Sequence, residues 1–148
     1  MSTHSLADPE VPVSTNRTAA SMVIRNVSEL AGRLFLSALF LASGLGKITA
    51  YAGTAAYMSS LGVPGAMLPL AIVTELAGAA AIIVGWNTRI VAFLLAGYSL
   101  LTAILFHNNF SDQIEMVMFL KNVSIAGGLL LLVANGAGPL SLDRRAAR

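Results

Sequence analysis

Four apolar runs constrain this chain more than any other feature. They cover 28–48, 66–85, 88–107 and 114–134. Each is about 20 residues long, and at ~1.5 Å per residue such a run spans the ~30 Å hydrocarbon layer of a bilayer. Backbone N–H and C=O groups in lipid must be satisfied within the segment itself, so each run is expected to be a helix. The predicted fold is therefore all-α, an integral membrane four-helix bundle. Composition agrees: 56% of residues are hydrophobic and 11% are charged, against about 25% charged in soluble domains.

The connections carry helix punctuation. Gly85-Trp-Asn-Thr-Arg89 reads as a tight turn, with Gly85 ending one helix and Asn87 or Thr88 capping the next. Asp112 with Glu115 three residues on has capping-box spacing. Asn135-Gly136 and Gly138-Pro139 end the last span. The link from Thr49 to Gly65 places Tyr51, Met58 and Leu61 at helical spacing, which predicts a short helix lying in the membrane interface of the first outer loop. Residues 1–27 are expected to be a mobile polar tail, since Ser, Thr and Pro with Asp8 and Glu10 replace the basic start of a cleavable signal. Residues 28–138 form the bundle and 139–148 a basic tail. Small residues recur every fourth position at Ala38, Ala42, Gly46, at Ala77, Ala81, Gly85 and at Ser124, Gly128, spacing that permits close helix approach.

Charge sets the expected orientation. With four spans, Arg17, Arg25, Arg33, Arg89, Arg144, Arg145 and Arg148 fall on one side and Lys47 and Lys121 toward the other. That bias predicts that both termini are cytoplasmic. The formal charge of +2 comes with no clustered basic reading face, which argues against nucleic acid as a partner. The absence of cysteine removes thiolate catalysis, iron–sulfur ligation and cysteine zinc sites from this chain. Its two histidines, His4 and His107, do not supply an internal bis-histidine haem, because His4 lies in the polar tail. No Glu-x-x-His spacing, phosphate loop or nucleophile elbow is present, so no metal ligands and no catalytic residues are assigned.

The polar residues inside the runs are the functional candidates. Glu75 sits in the middle of the second span, where an ionised carboxylate costs roughly 2.5–3.5 kcal/mol. It lies about nine residues, or roughly 14 Å, from the outer start of its helix, and Lys121 lies roughly 10 Å into the fourth. The matched depths predict a Glu75–Lys121 pair. Asn122 follows Lys121, His107 ends the third span on the same side, and an imidazole can pass a proton. With Lys47, these residues form the expected ligand-binding or proton-relay set: Glu75, Lys121, His107, Asn122 and Lys47. The bland readings stand beside it. Arg33 and Lys47, on one stripe of the first span with Ser37, Phe40 and Gly44, are expected to snorkel to opposite headgroup layers. The buried pair serves equally well as a structural pin that fixes helix register.

With these positions placed, the chain resembles the DoxX family of small four-helix membrane proteins. The likeness rests on Gly32–Lys47 (GRLFLSALFLASGLGK), Thr74–Gly78 (TELAG), Gly85–Arg89 (GWNTR), Phe106-His107, Gln113 through Phe119–Asn122 (FLKN) to Gly127-Gly128, and Ser141–Asp143 (SLD). It spans roughly residues 30–143. The resemblance implies a bacterial cytoplasmic-membrane protein related to a subunit of a terminal quinol oxidase and to thiosulfate–quinone oxidoreduction. The recurrent polar positions of the family map onto Lys47, Glu75, His107, Lys121 and Asn122.

Three functions compete. The preferred one is an accessory subunit of a quinone-linked redox system, not catalytic alone, with a polar pocket in the outer half of the bundle. Quinone is then the implied cofactor, none is bound covalently, and redox-enzyme subunits and membrane lipids are the implied partners. A small proton-coupled transporter, which a homo-oligomer would complete, also places carboxylates at mid-membrane; flux in proteoliposomes separates it from the first. The third is a non-catalytic scaffold, in which the ion pair only holds register.

Overall fold

The computed structural model describes residues 15–146, with side chains from 19 onward. Among these residues there is no strand, and four helices are long and apolar enough to cross a membrane. The elements are α1 (Thr15–Thr49), α2 (Tyr51–Ser60), a 3₁₀ turn (Gly65–Met67), α3 (Leu68–Val84), α4 (Thr88–Phe106), α5 (Gln113–Asn135) and α6 (Leu142–Ala146).

Helix α1 begins well before the expected start of the first span. Residues 15–27, read from sequence as part of a polar tail, are helical. Met22, Val23, Ile24 and Val27 supply apolar surface there, and no proline interrupts them. The remainder of the expected tail, residues 1–14, lies outside the described residues. Helix α2 occupies the link in which a short helix was expected.

The helix ends follow local chemistry. Pro69 in the first turn of α3 has no amide to leave unpaired and pre-sets the helical φ. That helix stops at Gly85, whose φ of 70° only glycine adopts without strain, while the Trp86 amide donates back to the Ala81 carbonyl at 2.9 Å. At α5 the Asp112 carboxylate accepts from the Ile114 and Glu115 amides at 2.7 and 3.3 Å, as its position predicts. At α4 the expected side-chain cap is absent. Asn87 stands at the N-cap but makes no capping bond. Asp143, from the C-terminal segment, accepts from the Asn87 and Thr88 amides instead, at 2.7 and 2.9 Å. A carboxylate fits the positive end of a helix better than an amide does, and no local reading of the turn could name one 55 residues away.

The bundle is two helix pairs. α1 runs along α3, α4 runs along α5, and the pairs join chiefly through α3 and α4, leaving α1 and α5 in sparse contact. The core contains Phe40, Ala79, Ile82, Ala92, Leu95, Ala96, Ala126 and Leu129. Large apolar side chains such as Phe35, Phe93 and Leu131 point outward, which is the arrangement lipid tails solvate. The Ala38, Ala42, Gly46 stripe also faces outward; α1 instead packs through Arg33, Ser37, Phe40 and Gly44. At Gly44 α3 comes close, since a Cβ there would stand 2.7 Å from Leu76. The branched side chain of Leu76 on α3 packs against the face of α1 that offers bare backbone at Gly44.

Candidate functional site

The close approach at Gly44 decides which cation meets Glu75. Lys47 lies three residues beyond Gly44, on the same face of α1. Its ammonium donates to both carboxylate oxygens of Glu75, at 2.8 and 3.0 Å, and to Ser43 Oγ at 2.6 Å. From α4, the Tyr98 hydroxyl donates to Glu75 Oε1 at 2.7 Å. Glu75 is 4% exposed, so its charge is held by a cation and a phenol with almost no contact to the surroundings of the chain. Two bonds from the ammonium and one from the phenol replace the hydration that the carboxylate would have in water.

This corrects two expectations. The predicted partner Lys121 does not bond Glu75; its Nζ lies 3.2 Å from Met118 Sδ, on an exposed stretch of α5. The reason is the pairing of helices: α3 is clamped against α1, and α5 belongs to the opposite pair. Nor does Lys47 extend to a headgroup layer. Arg33 departs from its snorkelling expectation as well. It is 1% exposed, and its guanidinium donates to the Leu140 carbonyl.

The five expected site residues nonetheless share one cavity. A space of about 580 Å³ opens among α1, α2, α3, α4 and α5, and Lys47, Glu75, His107, Lys121 and Asn122 all line it. Most of its wall is apolar, with Phe40, Tyr57, Met58 and Leu101 among the contributors. The His107 ring bonds Glu115 through Nδ1 at 2.7 Å. Glu115, placed by sequence in a capping box, thus turns its carboxylate to His107 while Asp112 alone caps the helix. Asn122 donates to the Met118 carbonyl one turn back.

Tyr98 and Ser43 are the site residues that sequence reading missed. Tyr98 had a signal: its hydroxyl is a polar atom about ten residues, or roughly 15 Å, into an apolar span, the same oddity that singled out Glu75. Ser43 had one only in hindsight of the pairing, as the residue one turn before Lys47. Among the described residues no group of His, Asp and Glu could hold a metal ion.

The cavity can do two things chemically. It can take an apolar body of drug size, since ligand pockets commonly enclose 300–1,000 Å³. It can also bring polar atoms on that body to the Lys47–Glu75–Tyr98 cluster, whose donors are all engaged within the chain and turn to a ligand only by exchanging a bond to Glu75 or Ser43.

Comparison with known proteins fits this architecture. The DoxX family model matches residues 28–108. The chain is similar to the inner membrane protein YqjF of Escherichia coli K12, at 49% identity over 82% of this chain and 93% of the relative. It is similar also to the inner membrane protein YphA of the same organism, at 41% identity over 82% of this chain and 91% of the relative. No solved structure matches it.

Proposed function

Given that the chain belongs to the DoxX family, we propose that it is an inner-membrane accessory subunit of a quinone-linked redox system, and that its cavity receives the quinone head. Its Arg-rich end faces the cytoplasm, as the positive-inside rule requires, and the cavity opens in the outer half of the bundle.

The observation that carries this reading is the coincidence of the Lys47–Glu75–Tyr98 cluster with the largely apolar cavity beside it. A quinone head is a flat apolar ring with two hydrogen-bond acceptors. The Lys47 ammonium and the Tyr98 hydroxyl line the cavity and reach the ring oxygens by exchanging a bond to Glu75 or Ser43, and Lys121, Asn122 and His107 also stand on its wall. On reduction the head takes up two protons, and Glu75, linked to both Lys47 and Tyr98, is the group able to pass one. The chain itself carries no haem ligand pair and no thiol, so electrons come from a partner subunit.

The test is binding of a short-chain quinone to the reconstituted protein, with Glu75→Gln and Lys47→Met beside the wild type. The reading expects saturable binding weakened roughly 10-fold or more by either change, about the worth of one charge-assisted hydrogen bond. Unchanged binding in folded variants removes quinone from the cavity.

A second reading has an observation of its own. Glu75 is fully partnered from within the chain, and its two partners come from α1 and α4. A scaffold that uses the cluster only to fix three helices would look the same. It would show strong stability coupling between positions 47 and 75 and no quinone binding.

A further inference from the structure

At the end of the bundle opposite Lys47, a second cavity of about 730 Å³ is lined by Arg25, Arg89 and Arg144 together with Thr88, Glu29 and Asp143. We propose that this cavity is a binding site for the phosphate of an anionic phospholipid, and that one acyl chain of the same lipid lies in the groove between α1 and α5.

The charge argument comes first. Of the two acidic residues of the cavity, Asp143 is engaged by hydrogen bonds, and Glu29 keeps a buried Oε2 with no hydrogen-bond partner among the described residues. Asp143 caps α4 through two amides, and Arg33, buried behind it, acts electrostatically on both Glu29 and Asp143. With Arg33 the region holds four arginines against two carboxylates, an excess of two positive charges. Arg25 approaches Glu29 only to 3.8 Å, from a largely exposed position. Arg89 packs its guanidinium over Gly136, with Nε 3.5 Å from where a Cβ would stand. Thr88 is wholly buried and lines this cavity, and its hydroxyl makes no hydrogen bond of good geometry although it lies near enough to the Asp143 carboxylate to act on it. A buried hydroxyl without such a bond is costly. An incoming phosphate oxygen is an acceptor for it, and guanidinium forks match phosphate geometry.

The groove identifies the anion as part of a lipid. A space of about 460 Å³ runs between α1 and α5, lined by Gly32, Phe35, Leu36, Ile125, Gly128 and Leu131 among others, and its wall is overwhelmingly apolar. It shares Glu29 with the arginine cavity, so the two spaces meet at that residue. It exists because α1 and α5 belong to different helix pairs. A Cβ on Gly32 would meet nothing within 4 Å, which leaves that stretch of α1 bare. A soluble phosphate would have no use for such a groove; a phospholipid fills both spaces at once. Basic pockets between helices at a cytoplasmic membrane face bind anionic headgroups in this manner.

The experiment is native mass spectrometry of the full chain in mild detergent, titrated with dioleoyl phosphatidylglycerol or dioleoyl phosphatidylcholine. Wild type should retain phosphatidylglycerol in a one-to-one complex and phosphatidylcholine roughly 10-fold less well. The triple variant R25Q/R89Q/R144Q, all at exposed positions, should lose that preference, and R25K/R89K/R144K should keep most of it. Gly32→Leu places a side chain in the open groove, starting from a Cβ that meets nothing within 4 Å, and should lower phosphatidylglycerol binding while circular dichroism and thermal midpoint stay at the wild-type values. Equal retention of the two lipids by wild type, or full retention by the triple glutamine variant, overturns the proposal. Displacement of phosphatidylglycerol by millimolar glycerol phosphate would assign the arginines to a soluble phosphate and overturn the lipid assignment, as would undiminished binding in Gly32→Leu.

Discussion

Lys47 and Tyr98 supply every hydrogen bond that the Glu75 carboxylate accepts among the described residues. Removing one partner of a buried pair leaves the other charge unpaired, and that costs more than removing both. Lys47→Met should therefore destabilise the protein by about 2–4 kcal/mol, and Lys47→Met with Glu75→Leu should recover most of the loss. Thermal unfolding in detergent, run on both single variants and the double, reads the coupling directly; losses that simply add would mean that the pair is not a unit. Tyr98→Phe keeps the ring and deletes one hydrogen bond, so a smaller loss of about 0.6–1.7 kcal/mol is expected, the range seen for interhelical bonds in membrane proteins. The cost of a carboxylate in an apolar run made Glu75 legible from sequence alone. The identity of its cation was not. Depth along a helix can be counted from residue numbers, but the face a helix turns to its neighbour depends on which helices pair, and here that favoured Lys47 over Lys121.

Two contacts set how the elements fit. The first is α1 on α3 at Gly44, where a Cβ would sit 2.7 and 2.8 Å from Leu76 side-chain carbons. Gly44→Val should cost about 1–3 kcal/mol by overpacking and should also separate Lys47 from Glu75. Loss of stability without loss of quinone binding would show that the pair tolerates the shift. The second is the C-terminal segment, which crosses the Arg-rich end and returns to the α3–α4 turn. Asp143 caps α4, its own amide donates to the Gly85 carbonyl at 2.9 Å, and Arg33 holds Leu140. Burial pushes the Asp143 carboxyl up, but hydrogen bonding to Thr88 and to the Asn87 amide, with the Arg33 charge, outweighs it and leaves the group below its ordinary 3.8. A lowered folded-state value means stability that is present above that ordinary value and lost as pH falls through the lowered one. Asp143→Asn should thus unfold at lower temperature than wild type at neutral pH, with the gap closing below about pH 4. A gap that persists into acid would assign the effect to shape and not to charge. The lengths of α3, α4 and α5, the Gly85 stop and the Asp112 cap were readable because they depend on neighbours in sequence, whereas the start of α1 at Thr15 was not. The Asp143 cap and the buried state of Arg33 were not, because both depend on a segment that returns from far along the chain.

As a whole the molecule is a membrane bundle split between two kinds of chemistry. The arginines gather at one end and the Lys47–Glu75–Tyr98 cluster lies toward the other. Four spans were legible from hydropathy, and five of the residues lining the cavity beside Glu75 were legible from polar atoms in apolar runs, while Ser43 and Tyr98 were missed. The open groove between α1 and α5 was not, since nothing in either helix alone says that the two do not pack. The account rests on the cavity beside Glu75 being a ligand site and not a packing gap. Photolabelling of the reconstituted protein with a short-chain azidoquinone, mapped by peptide mass spectrometry, tests that claim most directly. Label on residues of the cavity wall, such as Tyr57, Tyr98 and Lys121, suppressed by excess unlabelled quinone and lost in Glu75→Gln, is the predicted result. Label spread over outward residues such as Phe35, Phe93 and Leu131, and insensitive both to competitor and to Glu75, would contradict it.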